Sequence, residues 1–420
     1  MFKKILLFSY TRMMQPGECQ VIMTVIKDNL VNLSFLIWEN GKTMEVCMSS
    51  NRPAFDPREF EVIAMRPCGA YGMFANMGMG FLPQMEPLFN RPITPRENLK
   101  MALSGQTPYW IPQTGCMCCD VSAFRPRIIP DNVASGVVMD GEGLLPYPTE
   151  PTRSWFGLEW VYVPVAGGAT VKPGHPLIED MNDWEEILQW PDLDALDWED
   201  MGRKNAEYLT TPQSNEFTML CGFWERLMSL MDVAGAAMAL IDEDQQDAVL
   251  AFFDKYADFL IDCIRHVKNV CNIDGVMIHD DWGTQNGPFF SLETARRMLL
   301  PYLKRVVDYC HSEGLYYEQH SCGNCTKLVS AYIEAGVDIW WPQPMNDFDE
   351  ILKLAKGTRL HIAMSDPVPM DMPEEEARKA AHEWFARYGY ENITLEPVAA
   401  NQAFYNELYK ISREAFAQAE

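Results

Sequence analysis

Positive charge is what this chain has least of. Lysine and arginine number 34 against 59 aspartates and glutamates, so the 420-residue chain carries a formal net charge of −25. A surface this negative repels phosphate backbones and anionic lipid headgroups, which makes nucleic acid and membrane surfaces poor partners. A neutral or cationic ligand, or an anion held in a local basic pocket, stays open. Long apolar runs are also missing. The opening "MFKKILLFSY" has two lysines and a short apolar run, with no small-residue cleavage site after it, so neither a signal peptide nor a membrane span is expected. No glycine-rich dinucleotide turn follows an early strand, and there is no Gly-Lys-Ser/Thr phosphate loop and no serine elbow. The twelve cysteines are scattered through a large chain rather than packed into a small disulfide framework. That usage predicts a reducing, cytoplasmic setting, with thiols buried or free to bind metal.

What is present is ordinary core material. Hydrophobic residues make up 48% and charged residues 22%. This is globular composition, and the length suits a large α/β barrel with an extension. Residues 1–92 are rich in Met, Gly and Pro, as in "GAYGMFANMGMGFLPQMEPLFNRP", and are expected to form a partly irregular N-terminal extension. The main domain is expected over 93–420. Thr94-Pro95 marks a helix start, with a cap residue and a proline at the first helical position.

The second half of the chain alternates. "EFTMLCGF", "DGVMIHDD", "LYYEQHSC", "VDIWWP", "RLHIAMS" and "ENITLEP" read as strands, each followed by a segment of helical spacing. In the longest helix the apolar positions are Val249, Phe252, Phe253, Tyr256, Phe259 and Leu260. A further helix is capped by Ser291 and kinked near Pro301. Adding "YWIPQ" and one strand between it and Phe217 makes eight, the number of a closed (β/α)8 TIM barrel. An open doubly wound sheet is the alternative, disfavoured because the glycine turn of that fold is missing.

The chemistry concentrates in "YYEQHSCGNC", residues 316–325. Residues two apart share a strand face, so Glu318, His320 and Cys322 point the same way. They lie at the C-terminal end of a strand, where such barrels carry their active sites. Imidazole and thiolate are preferred zinc ligands and carboxylate an acceptable one. Gly323 allows a sharp turn, and Cys325 leads into a helix whose positive end lowers a thiol pKa. The plain alternative is a buried strand that ends in small hydrophobic thiols.

A second constellation is "IHDDWGTQNGPF", residues 278–289, at the end of the preceding strand. Asp280 and Asp281 are adjacent and face opposite ways, so one enters the mouth and the other holds a loop or a helix N-terminus. Asp281 and Gln285 are candidate substrate-orienting groups. Asn286 adds a neutral hydrogen-bonding group, and Trp282 and Trp341 are candidate aromatic lining. A solvated acidic loop is the competing reading. Glu225, in "CGFWERLMSL", would also lie on the active face, or else serve as a first-turn glutamate that complements the helix dipole. In "CMCCD", Cys116 and Cys118 share a strand face but have no histidine nearby.

Taken together, "TPRENLKMALSG", "GVMIHDDWGTQ", "HSEGLYYEQHSCGN" and "LVSAYIEAGVDIWWPQP" resemble the uroporphyrinogen decarboxylase-like superfamily. The resemblance runs over about residues 93–415 and is strongest over 217–345. It implies a (β/α)8 barrel with one of two activities. One is the metal-free decarboxylation of porphyrin biosynthesis. The other is methyl transfer between a small methylated substrate or thiol and a corrinoid protein, with zinc activating the substrate. The decarboxylase carries an arginine-bearing segment after its first barrel strand. Here that place reads "YWIPQTGCMCCDVSAF", with no arginine before Arg125. The methyltransferase branch carries His-x-Cys at a strand end as its zinc pair, matched here by His320 and Cys322. The thiol-methylating members also use a cysteine near the C-terminus, whereas the last cysteine here is Cys325. The resemblance therefore leaves Glu318, Cys325 or Glu396 as the third ligand. It implies zinc, a corrinoid on a partner protein, a small-molecule methyl donor or acceptor, and room for a homodimer or a non-catalytic corrinoid-binding member.

Overall fold

A computed structural model describes residues 52–68, 84–114, 120–129, 140–142, 152–163, 168–365, 368–396 and 401–418, together with five short strands in the first fifty residues. The chain divides into two compact units, Met1–Ala54 with Glu414–Glu420, and Phe55–Arg413. In the first unit, Ser34–Glu39 pairs antiparallel with both Val21–Ile22 and Lys42–Cys47, and Val25–Lys27 pairs with Leu30–Asn32. The second unit carries the parallel sheet. Residues 55–92, expected in the extension, belong to it. Buried Glu59 there accepts hydrogen bonds from both Nε and an Nη of Arg413 at 2.9 Å.

The sheet has seven parallel strands in sequence order: β1 (Val121–Phe124), β2 (Ser214–Met219), β3 (Gly275–His279), β4 (Tyr316–Ser321), β5 (Ile339–Pro342), β6 (His361–Ser365) and β7 (Ile393–Glu396). Helices α2 (Phe223–Ala239) and α3 (Gln246–Val270) join β2 to β3. Helices α4 (Leu300–Ser312), α5 (Val329–Ala335), α6 (Phe348–Ala355) and α7 (Glu374–Tyr388) join the later pairs. Ahead of them, α1 spans Pro95–Leu103. This is a TIM-barrel-like mixed α/β fold. The eighth strand expected at "YWIPQ" is reduced, among the described residues, to one parallel bridge between Gln113 and Leu395. Leu395 N–H donates to Pro112 O and Thr114 N–H donates to Leu395 O, both at 2.8 Å. Pro112 has no N–H of its own to extend the ladder.

Local sequence accounts for most element ends. Thr94 caps α1 in a reciprocal capping box with Glu97. On α3, Val249, Phe252, Phe253, Tyr256 and Leu260 are all fully buried, and Phe252, Phe253 and Tyr256 pack on Trp184, Trp190, Phe223 and Tyr302, so the apolar stripe faces inward. Ser291 caps a helical turn, Ala295–Leu299 forms a π-helical turn, and α4 begins with Pro301 in its first turn. The wide turn removes the need for the N–H that proline lacks, and this is the form the expected kink takes. The strand expected to run to Phe223 stops at Met219. Cys221 takes a left-handed backbone (φ 66°), and α2 starts at Phe223. Gly222 lies between them because Asp280 packs against its Cα, and a Cβ there would sit 2.5 Å from Asp280 Cγ.

Candidate metal centre

Strand register builds the site. His279, His320 and Trp341 are paired neighbours at the ends of β3, β4 and β5. Side chains at one register of a parallel sheet share a face, so the three rings stand in a row, tilted against one another. The His279 and His320 ring centres are 4.6 Å apart, and those of His320 and Trp341 4.2 Å. Two residues beyond each histidine, on the same side, come Asp281 and Cys322. His320 Nε2 lies 3.3 Å from Cys322 Sγ. His279 Nε2 lies 3.5 Å from Asp281 Oδ1, which also accepts the Cys322 N–H at 2.6 Å. One ligand atom from each of His279, Asp281, His320 and Cys322 lies within 4.8 Å of the others.

A second layer orients this set. His279 Nδ1 meets Glu225 Oε2 at 3.0 Å, which turns Nε2 toward Asp281. Gln343 Oε1 accepts the Gly323 N–H at 2.8 Å, so its amide Nε2 faces Cys322 Sγ, at 3.3 Å. Carboxylate behind histidine and donor behind thiolate are the usual outer partners of metal ligands. Asp280 points the other way. It accepts from Glu225 N (2.8 Å), Trp224 N (3.3 Å) and Trp282 Nε1 (2.7 Å), and so caps α2 and holds Glu225 in place.

The electrostatics fit a cation at the centre. Burial opposes charge on His279, but the carboxylates of Asp281 and Glu225 outweigh it and hold the ring well above its usual pKa. Burial and the neighbouring His279 push His320 down to about 3, which keeps it neutral and able to donate a lone pair. Burial, then the Asp281 charge, pushes the Cys322 thiol up to about 11. A divalent ion would reverse the shifts at His279 and Cys322, because it takes the place of the proton on a coordinated imidazole and a coordinated thiol is deprotonated outright. Two imidazoles, a thiolate and a carboxylate form a donor set suited to tetrahedral zinc.

Other expected site residues lie elsewhere. Glu318 shares the face of His320 but sits one step deeper, about 6.6 Å along the strand, with its carboxylate beside Glu216. Cys325 Sγ is 3.2 Å from Ser321 Oγ, and its N–H donates to Asn346, so it faces away from the four. Glu396 accepts from Ser365 Oγ at 3.0 Å on β6. Trp282 is fully buried against Phe290 and Tyr332 and does not line the mouth. Trp341 does stand beside His320. Gln285 and Asn286 are exposed on the turn closed by Thr284 N–H to Gly287 O. Cys116 and Cys118 lie outside the described residues. His279 was not singled out in the sequence, although "His-x-Asp" and "His-x-Cys" recur at the ends of adjacent strands.

No family model matches the chain, and no curated protein matches its sequence. Among solved structures it is similar to a methyltransferase from Methanosarcina mazei, at 15% identity, over 77% of this chain and 99% of that one, with a TM-score of 0.50. An archaeal fructose 1,6-bisphosphate aldolase (16% identity, 37% of this chain and 60% of that one) and an AP endonuclease of family 2 from Brucella melitensis (11%, 50% and 80%) reach TM-scores of only 0.24 and 0.28 and carry no argument. At these identities the likeness to the methyltransferase shows a shared fold, and what the chain does rests on its own site.

Proposed function

We propose that this chain is a zinc-dependent methyltransferase that moves a methyl group between a small methylated substrate or thiol and a corrinoid carried by a partner protein. The observation that carries the reading is the convergence of His279, Asp281, His320 and Cys322 at the ends of two adjacent strands. The similar fold of a protein described as a methyltransferase, and the His-x-Cys pair at the matching strand end, support it. Zinc bound there would act as a Lewis acid on the substrate heteroatom.

The chain's own residues set the conditions for that chemistry. Glu225 fixes the tautomer and direction of His279, and Gln343 donates to the Cys322 sulfur. Trp341 covers one face of His320 and keeps water from it. In this reading Asp281 is a ligand. It is also the one that substrate can replace, because zinc sites that work on substrate keep a position open to it. With no cysteine after Cys325, the protein ligands differ from the thiol-rich set of thiol-methylating members, which favours a methoxylated or methylamine-type donor. The decarboxylase reading is disfavoured because Glu225 and Asp281 at the strand ends would repel a polycarboxylate. A cytoplasmic location and a homodimer are part of the proposal.

The test is methyl transfer followed by corrinoid absorbance. Reduced corrinoid is presented with methoxylated and methylamine donors, and methylcobalamin with thiols. The expected result is transfer that requires zinc and is lost in His320→Ala/Cys322→Ala. Metal-free protein with full activity would contradict the proposal.

A further inference from the structure

Beneath the candidate metal centre the barrel interior holds a second set of polar groups, which the proposed reaction does not use. Glu216 on β2 and Glu318 on β4 are both completely buried, and their four carboxylate oxygens meet only each other and the Tyr316 hydroxyl, with no well-formed hydrogen bond to any of them. Thr218, 3% exposed, presents a buried Oγ1 that is unpartnered, and the buried Tyr316 hydroxyl lies against Glu216.

Register brings these groups together. Glu216 pairs with Gly275, and Gly275 with Tyr316. Thr218 pairs with Met277, and Met277 with Glu318. All therefore lie on the inward face at two adjacent levels. Gly275 makes the room: a Cβ at that position would fall 2.2 Å from Tyr316 Cζ. The tyrosine ring therefore lies across β3, with its hydroxyl directed toward β2 and Glu216. The charge of Glu216 acts on both Glu318 and Tyr316, so the three are close neighbours.

Two buried carboxylates with no cation cost several kcal/mol each by desolvation. A protein keeps such a pair only where protons or a cation neutralise it. The donors are oxygen alone, with no nitrogen or sulfur, which selects a hard cation over zinc. Two bidentate carboxylates, one hydroxyl from Thr218 and one from Tyr316 supply six oxygens and two negative charges. Calcium takes six to eight oxygen ligands, whereas magnesium keeps several waters and is reluctant to enter an all-protein cage. We propose that the barrel interior binds one calcium ion through Glu216, Glu318, Thr218 and Tyr316, as a structural site distinct from the His279–Cys322 centre. The proposal does not depend on methyl transfer.

The experiment uses the full-length chain, stripped with chelator and dialysed against micromolar calcium in about 150 mM potassium chloride, which screens the acidic surface. Calcium per chain and the thermal midpoint are read for wild type and for Glu216→Gln/Glu318→Gln. They are also read for Thr218→Val and for His320→Ala/Cys322→Ala. The expected result is one calcium per chain and a midpoint raised by several degrees in wild type. His320→Ala/Cys322→Ala should respond in the same way. Glu216→Gln/Glu318→Gln should take up none, and Thr218→Val should bind at least tenfold more weakly. Wild type that takes up no calcium would overturn the proposal, since the carboxylates would then be neutralised by protons. Equal uptake by Glu216→Gln/Glu318→Gln would also overturn it, and Thr218→Val decides the matter if that double variant does not fold.

Discussion

Glu225→Gln tests how the outer layer of the candidate metal centre works. The Glu225 carboxylate accepts from His279 Nδ1 at 3.0 Å and is largely shielded from solvent. Glutamine keeps the shape and one acceptor oxygen but removes the charge that makes the imidazole a stronger ligand. Loss of such an outer partner costs roughly 10–100-fold in metal affinity, or about 1.4–2.7 kcal/mol. The burial of the pair places the expected loss toward the upper end of that range. Glu225→Leu also removes the acceptor and leaves a buried Nδ1–H unsatisfied, for a further cost of about 1–3 kcal/mol. The bond from the Glu225 main-chain N–H to the Asp280 carboxylate does not involve the Glu225 side chain and survives both changes. Zinc affinity, measured by competition with a chromophoric chelator, should fall in the order wild type, Glu225→Gln, Glu225→Leu. A Glu225→Gln protein within twofold of wild type would refute the role given to this contact.

Two further outcomes follow from buried carboxylates. Gly222→Ala forces a Cβ to within 2.5 Å of Asp280 Cγ and disturbs the cap of α2, so it should cost about 1–3 kcal/mol in urea unfolding and weaken zinc binding through Glu225. Asp120 is pushed up to about 6 by burial, against hydrogen bonds from Gln113 N–H and Trp110 Nε1. Its folded pKa lies above the unfolded value, so the native state binds the extra proton and stability from this group falls as pH rises from about 4 to about 6. Asp120→Asn should therefore gain on wild type over that window, by up to about 3 kcal/mol. Denaturant midpoints at pH 4.5 and 7 check this, and an unchanged difference between the two proteins would count against it.

The parallel sheet was legible because each strand after Phe217 is a short apolar run that ends in polar residues, followed by helical spacing. The reduced eighth strand was not, because "YWIPQ" reads as a strand by composition while Pro112 limits its ladder to a single bridge. In the site, alternation identified which side chains share a face but not which share a level. Glu318 and His320 face the same way, yet the Glu318 carboxylate turns down the barrel beside Glu216, whereas Cys322, past the strand end, folds back onto His320. The fourth converging side chain, His279, was missed because no motif marks it. Only the registration of β3 against β4 places it beside His320. Trp282 was misplaced because alternation ends with the strand. Past His279 the chain turns: Ser321 Oγ accepts the Trp282 main-chain N–H, and Asp280 accepts from the indole Nε1, which together hold the ring in the core.

The central claim is that one metal ion is held jointly by the ends of two adjacent strands. X-ray absorption at the zinc edge of the purified, zinc-loaded protein tests this most directly. The account predicts one zinc per chain with a single sulfur neighbour at about 2.3 Å and nitrogen or oxygen neighbours at about 2.0–2.2 Å. The sulfur should disappear in Cys322→Ser and one histidine contribution in His279→Ala. Bound zinc without sulfur, or a coordination shell unchanged by His279→Ala, would contradict it.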